Sequence, residues 1–176
     1  MEIRYFNHYS SNLNRNMEFK VYGSTGKPVI FFPCQGGRFF DFEGNNMPAT
    51  WSPWIDSGKC TVYCADSIDN EAWAAIGADN RWRIENHEKW YHYIVDELVP
   101  YIKHLSGLAN GYDQGIMTFG CSMGAMHAAN AEALFSTSHL LMTKGVNLAF
   151  RIVPGGTHCE ASWAKQVPIF MECLGV

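Results

Sequence analysis

The sequence predicts an α/β fold, a mainly parallel sheet flanked by helices, and three observations predict it. Short continuous apolar runs at 28–33 (Pro-Val-Ile-Phe-Phe-Pro) and 59–65 (Lys-Cys-Thr-Val-Tyr-Cys-Ala) are bounded by turn residues, as strands buried on both faces are. Between such runs, Tyr91, Ile94, Val95, Leu98 and Ile102 recur at helical spacing. Finally, the glycine-rich stretches 35–37, 120–124 and 155–158 fall at the expected carboxyl ends of strands, where sheets of this kind collect function.

In chain order, 3–8 alternates loosely and predicts a strand, and 12–16 (Asn-Leu-Asn-Arg-Asn) reads as a turn. A second alternating strand at 17–22 is ended by Gly23-Ser24-Thr25-Gly26. The buried strand at 28–33 runs into Cys34-Gln35-Gly36-Gly37-Arg38, and the one at 59–65 ends in Asp66. Between them 45–58, with Trp51, Pro53 and Trp54, reads as a helix or an ordered loop. A helix is expected over 85–105, with Pro100 kinking it or ending its first part. A polar connection at 107–114 leads into a strand at 115–119 and a helix at 123–135. A further helix at 137–144 is closed by Gly145, and a last strand is expected at 148–153. The loop Pro154-Gly155-Gly156-Thr157-His158 and a terminal helix at 162–173 follow, with Pro168 arguing against a straight one.

Composition bounds the function. A chain of 176 residues with 47% hydrophobic and 14% aromatic residues fits one domain, 1–176, with a large core, and disorder is not expected. A net charge of −4 without a Lys/Arg cluster argues against nucleic acid as a partner. No window approaches the about 18 apolar residues that span a bilayer, and the first residues lack a signal-peptide pattern, so a cytoplasmic location is expected. Six cysteines without a CxxC pair or zinc-type spacing read as reduced thiols, with no metal site implied.

Gly120-Cys121-Ser122-Met123-Gly124 matches Gly-x-Ser-x-Gly. A serine hydroxyl is a weak nucleophile and must be presented to a base and to an acyl carbon at once. A sharp strand-to-helix turn does so, and needs small residues two before and two after the serine. The pattern alone is common, so its context carries the argument: an apolar strand precedes it and a helical run follows. The alternative is a glycine-rich turn with a capping serine. His158 follows the last expected strand and comes late in the chain, after the serine, as the base of such a site does. His8, His87, His92, His104 and His139 read as ordinary structural histidines, and so does His127, five residues after Ser122. The Cys34–Gly37 loop is a candidate donor of one oxyanion-binding amide, from Gln35, with Met123 supplying the other. A plain Gly-Gly turn is its alternative reading.

These residues resemble the putative-esterase branch of the α/β-hydrolase superfamily, which is esterase D-like. The strings that carry the resemblance are Asn-Leu-Asn-Arg-Asn-Met-Glu-Phe-Lys-Val-Tyr-Gly (12–23), Phe-Pro-Cys-Gln-Gly-Gly-Arg-Phe-Phe-Asp-Phe-Glu (32–43), Trp-Tyr-His-Tyr-Ile-Val-Asp-Glu-Leu-Val-Pro-Tyr-Ile (90–102), Gly-Cys-Ser-Met-Gly-Ala-Met-His-Ala-Ala-Asn (120–130) and Gly-Gly-Thr-His (155–158). The resemblance implies a serine-dependent carboxylic ester hydrolase that works through an acyl-enzyme on a small-molecule ester and needs no cofactor. Ser122 takes the nucleophile's role, His158 the base's, and the Gln35 and Met123 amides hold the oxyanion.

One departure bears on activity. Members of this branch are longer, and the stretch absent here falls between Asn130 and Ala131, where about two strands and the catalytic Asp are expected. A reduced α/β-hydrolase fold follows. Glu160, two residues after His158, and Glu132, near the junction, are candidate replacements, as are Asp66 and Asp69 at another strand end; water or no acid at all is the remaining option. The same departure motivates a rival class of function, a catalytically weak relative serving as a binding or assembly module, while an acyltransferase shares the site. An unpaired apolar sheet edge also predicts a homo-oligomer, with exchange of the 148–176 segment as one route.

Overall fold

The computed structural model describes residues 1–135 and 157–174, with the side chains of 132–135, 160, 173 and 174 outside the description. The helix expected at 137–144, the strand at 148–153 and the Gly155-Gly156 turn lie outside the described residues.

Five described strands form one mixed sheet in the order β1-β2-β4-β3-β5. The strands are β1 (Ile3–Ser10), β2 (Arg15–Tyr22), β3 (Lys27–Phe32), β4 (Cys60–Ala65) and β5 (Met117–Gly120). β3 pairs in parallel with both β4 and β5, while the N-terminal hairpin adds antiparallel β1–β2 and β2–β4 pairings. The hairpin turns at Asn14, which sits in the left-handed region at φ 52° where asparagine is tolerated.

Strand periodicity sorts the core into two layers. Ile30, Phe32, Tyr63 and Ala65 face one side, with Trp90, Tyr93, Ile94, Leu98 and Ile102 packed over them. Val29, Phe31, Val62 and Cys64 face the other, under Phe42, Trp51, Val167 and Met171. β3 and β4 are therefore apolar throughout because neither face meets water. β1 alternates because one of its faces does.

On the first face α3 (Asn80–His92) passes through a π-helical stretch, Tyr93–Leu98, into α4 (Val99–Asn110). Pro100 neither ends nor breaks this run; it stands in the first turn of α4, just after the widened stretch. Proline lacks an N–H and its ring crowds the preceding turn, and a wide turn there relieves both. The Asp79 carboxylate caps α3 by accepting from the Trp82 N–H at 2.9 Å. Asp79→Ala is expected to lower stability by about 1 kcal/mol, read from the urea midpoint.

On the second face lie α1 (Asp41–Gly44), α2 (Met47–Ile55) and, near the C-terminus, α7 (Val167–Leu174). Pro168 opens the second of two short helices, α6 (Glu160–Ala164) and α7, so the terminal segment is divided at the residues before it. α5 (Met123–Phe135) runs unbroken through Asn130 and Ala131.

Candidate active site

The parallel register pairs Phe32 of β3 with Gly120 of β5, so the loops after these two strands leave the same end of the sheet side by side. Only Cys121 and Ser122 separate β5 from α5, and Ser122 takes up the bend at φ 57°. An L-residue adopts that conformation only when its surroundings hold it there. The surroundings are two glycines. A Cβ at Gly120 would stand 2.2 Å from the Gly124 carbonyl oxygen, and one at Gly124 would stand 2.3 Å from the Phe32 oxygen and 2.6 Å from that of Pro33. The chain can turn this sharply, and the helix can lie this close to β3, only without those side chains.

The bend leaves Ser122 exposed and brings its Oγ within 3.0 Å of His158 Nε2. His158 stands in the turn ahead of α6. That turn is tied down by the Thr157 N–H donating to Ser162 Oγ at 2.9 Å and the Cys159 N–H donating to the Thr157 carbonyl at 2.9 Å. Trp163 meets the imidazole edge-on, with centroids 5.0 Å apart. Two residues 36 apart in sequence thus form a hydrogen-bonded pair with the geometry of a nucleophile and its base.

The Gln35 loop is a compact turn. Gly36 has φ 68°, the Gly37 N–H donates to the Cys34 carbonyl at 2.9 Å, and a Cβ at Gly37 would lie 2.4 Å from Asp41 Oδ2. Met123 is the first residue of α5, so its N–H is among those a helix leaves unpaired at its start. Gln35 and Met123 therefore each come three residues after strand ends, Phe32 and Gly120, that lie side by side.

The acid position is different. Asp66 and Asp69 do not serve it, because both are engaged elsewhere. Asp66 accepts from Arg38 Nε at 2.7 Å and from the Phe39 and Ser67 N–H groups. Burial pushes its carboxyl above the usual range, and the Arg38 hydrogen bond opposes that rise. Asp69 Oδ1 lies 3.2 Å from His127 Nε2, both residues being buried. Glu132 and Glu160 stand in α5 and α6, and their side chains lie outside the described residues. Among the described residues, no carboxylate bonds to His158.

The structure adds residues that sequence reasoning passes over. Arg38 bridges Asp66 and Glu18, with Nη2 at 2.9 Å from the latter, and lies against the rings of Phe39 and Phe40. His127 is not merely a core histidine but the partner of Asp69. Its position on the helix that follows Ser122 is the one signal available in the sequence.

Solved structures share the fold of this chain. An S-formylglutathione hydrolase from Agrobacterium tumefaciens superposes with a TM-score of 0.54 at 19% identity, over 76% of this chain and 53% of that one. A ferulic acid esterase gives 0.55 at 14%, over 79% and 56% respectively. The fold is that of the α/β-hydrolases. FphF, a fluorophosphonate-binding serine hydrolase from Staphylococcus aureus, superposes over 96% of this chain and 74% of its own, with a TM-score of 0.53 and 10% identity. The chain spans about half the length of the first two proteins. No protein-family model matches it, and no curated protein sequence does. None of its described helices is long and apolar enough to cross a membrane, and no three described His, Cys, Asp or Glu residues converge to hold a metal ion.

Proposed function

We propose that this chain is a serine-dependent carboxylic ester hydrolase. The observation that carries the reading is the 3.0 Å contact between His158 Nε2 and the hydroxyl of a strained, exposed Ser122. His158 accepts the Ser122 proton as Oγ attacks the ester carbonyl. The Gln35 and Met123 amides receive the charge that develops on the carbonyl oxygen. The imidazolium then protonates the leaving alcohol, an acyl-enzyme remains on Ser122, and His158 activates a water molecule to release it. The likeness to an S-formylglutathione hydrolase, a ferulic acid esterase and a fluorophosphonate-binding serine hydrolase supports this class of chemistry.

The test is covalent. A fluorophosphonate probe is expected to label the chain once, with the label mapped by mass spectrometry to the peptide bearing Ser122. p-Nitrophenyl acetate is expected to give a burst of p-nitrophenol equal to the labelled fraction. Absence of both would favour the second reading, a binding module of the same fold. The specific observation behind that reading is that, among the described residues, no carboxylate bonds to His158.

A further inference from the structure

Gln35 sits in the loop 33–40 between β3 and α1, and the bonds inside that loop cannot aim it. The Gly37 N–H donates to the Cys34 carbonyl at 2.9 Å, and the Arg38 N–H donates to Asp41 Oδ2 at 3.2 Å. Each joins residues close in sequence, so both shape the turn and travel with it.

Asp66 ties the loop to the sheet. It directly follows β4, which lies between β2 and β3, and its carbonyl accepts from Trp90 Nε1 of α3 at 3.0 Å. Its buried side chain reaches back 28 residues along the chain. Oδ1 accepts from Arg38 Nε at 2.7 Å and from the Phe39 N–H at 3.3 Å, as well as from its neighbour Ser67 at 3.1 Å. Charge-assisted bonds of this kind are the strong ones. Arg38 Nη2 adds a tie to Glu18 of β2 at 2.9 Å. Asn70 flanks the turn as well, since a Cβ at Gly36 would lie 3.3 Å from Asn70 Oδ1.

The same short segment also holds α5, which Met123 begins. Asp69 Oδ1 lies 3.2 Å from His127 Nε2 on that helix. Trp90, bonded to the Asp66 carbonyl, packs on the His127 ring with centroids 4.6 Å apart. Residues 66–70 thus refer the Gln35 loop and the Met123 helix to one strand end. Two donors stabilise a developing charge best when neither must reorganise to meet it.

We infer that Asp66 is a positioning residue: through Arg38 and Phe39 it keeps the Gln35 N–H in place to receive the oxyanion together with the Met123 N–H. The role of Gln35 rests on the ester-hydrolase reading, whereas the hold of Asp66 on the loop does not.

The test compares Asp66→Ala, Asp66→Asn and Arg38→Ala with wild type by steady-state kinetics on p-nitrophenyl acetate, urea denaturation and NMR relaxation of the backbone amides. Acylation and deacylation both build an oxyanion, so both slow together. Asp66→Ala is expected to lower kcat about tenfold with KM within about twofold, less than loss of a whole oxyanion donor costs. Asp66→Asn keeps an acceptor oxygen for the same donors and is expected to recover to within about threefold of wild type. Arg38 is half-exposed, and Arg38→Ala is expected to reproduce the Asp66→Ala loss from the loop side even where Asp66→Ala does not fold. In either alanine variant the order parameter of the Gln35 amide is expected to fall from about 0.85 to below about 0.6, with that of Met123 unchanged. Asp79→Ala, which loses stability at α3 and not in the loop, is expected to keep wild-type kcat and KM. A kcat loss in Arg38→Ala no greater than in Asp79→Ala overturns the inference, and so does a Gln35 amide as ordered in the alanine variants as in wild type. Wild-type protein that turns over no ester overturns the hydrolase reading instead, and the relaxation measurement then decides the hold on the loop by itself.

Discussion

Replacing either Ser122 or His158 by alanine is expected to reduce turnover of p-nitrophenyl acetate on the order of 10⁴-fold, and replacing both is expected to do no more. A nucleophile and its base act as one unit, so removing either forfeits nearly all that the pair contributes. What survives is the share supplied by oxyanion binding and by substrate binding, and that share is the same in all three variants. The expectation is specific to the 3.0 Å contact. If instead His158 is only a neighbour of the serine, the single effects will differ and their product will describe the double variant. Both side chains are exposed, so neither change should move the urea midpoint by more than about 0.5 kcal/mol. Steady-state rates on the three variants, with denaturation curves beside them, decide the matter. Partial recovery of His158→Ala by added imidazole would show that a missing base, and not a collapsed turn, is the cause.

How much of this was legible beforehand depends on whether the signal was local. β3 and β4 are readable because burial on both faces leaves an uninterrupted apolar run, and each strand lies within a residue or so of its expectation. Ser122 is readable because two steric constraints, at Gly120 and Gly124, must both be written as glycine. That His158 comes into contact with Ser122 is in keeping with its late place in the chain and the Gly-Gly-Thr that precedes it. The long-range polar pairs are not readable, because Arg38–Asp66 and Asp69–His127 join residues 28 and 58 apart, and no local pattern marks either. The π-helical stretch escapes for another reason. Tyr91, Ile94, Leu98 and Ile102 keep an apolar face in either geometry, so periodicity does not reveal a turn widened ahead of Pro100. The antiparallel half of the sheet is implicit in the short turn at 11–14, which admits only a hairpin between β1 and β2.

Gly124→Val is expected to be the most damaging single substitution apart from those at Ser122 and His158. The new Cβ would stand 2.3 Å from the Phe32 oxygen and 2.6 Å from the Pro33 oxygen, and both are backbone atoms of the central strand and its exit. A flexible side chain can swing away, but the carbonyls at the end of β3 cannot, because β3 is held by β4 on one side and β5 on the other. The strain must therefore move α5. Overpacking of this kind lowers stability by up to about 3 kcal/mol, which the urea midpoint will report. The functional effect should exceed the structural one. Ser122 directly precedes α5, and a displacement of about 1 Å between it and His158 is expected to lower turnover by roughly 10²-fold even in molecules that remain folded. Gly107→Ala supplies the contrast. That glycine lies inside α4 with nothing within 4 Å of its Cβ position. There the methyl group should raise stability by up to about 1 kcal/mol and leave turnover unchanged. A Gly124→Val protein with wild-type turnover and midpoint would mean that the close approach of α5 to β3 does not hold Ser122 in its bend.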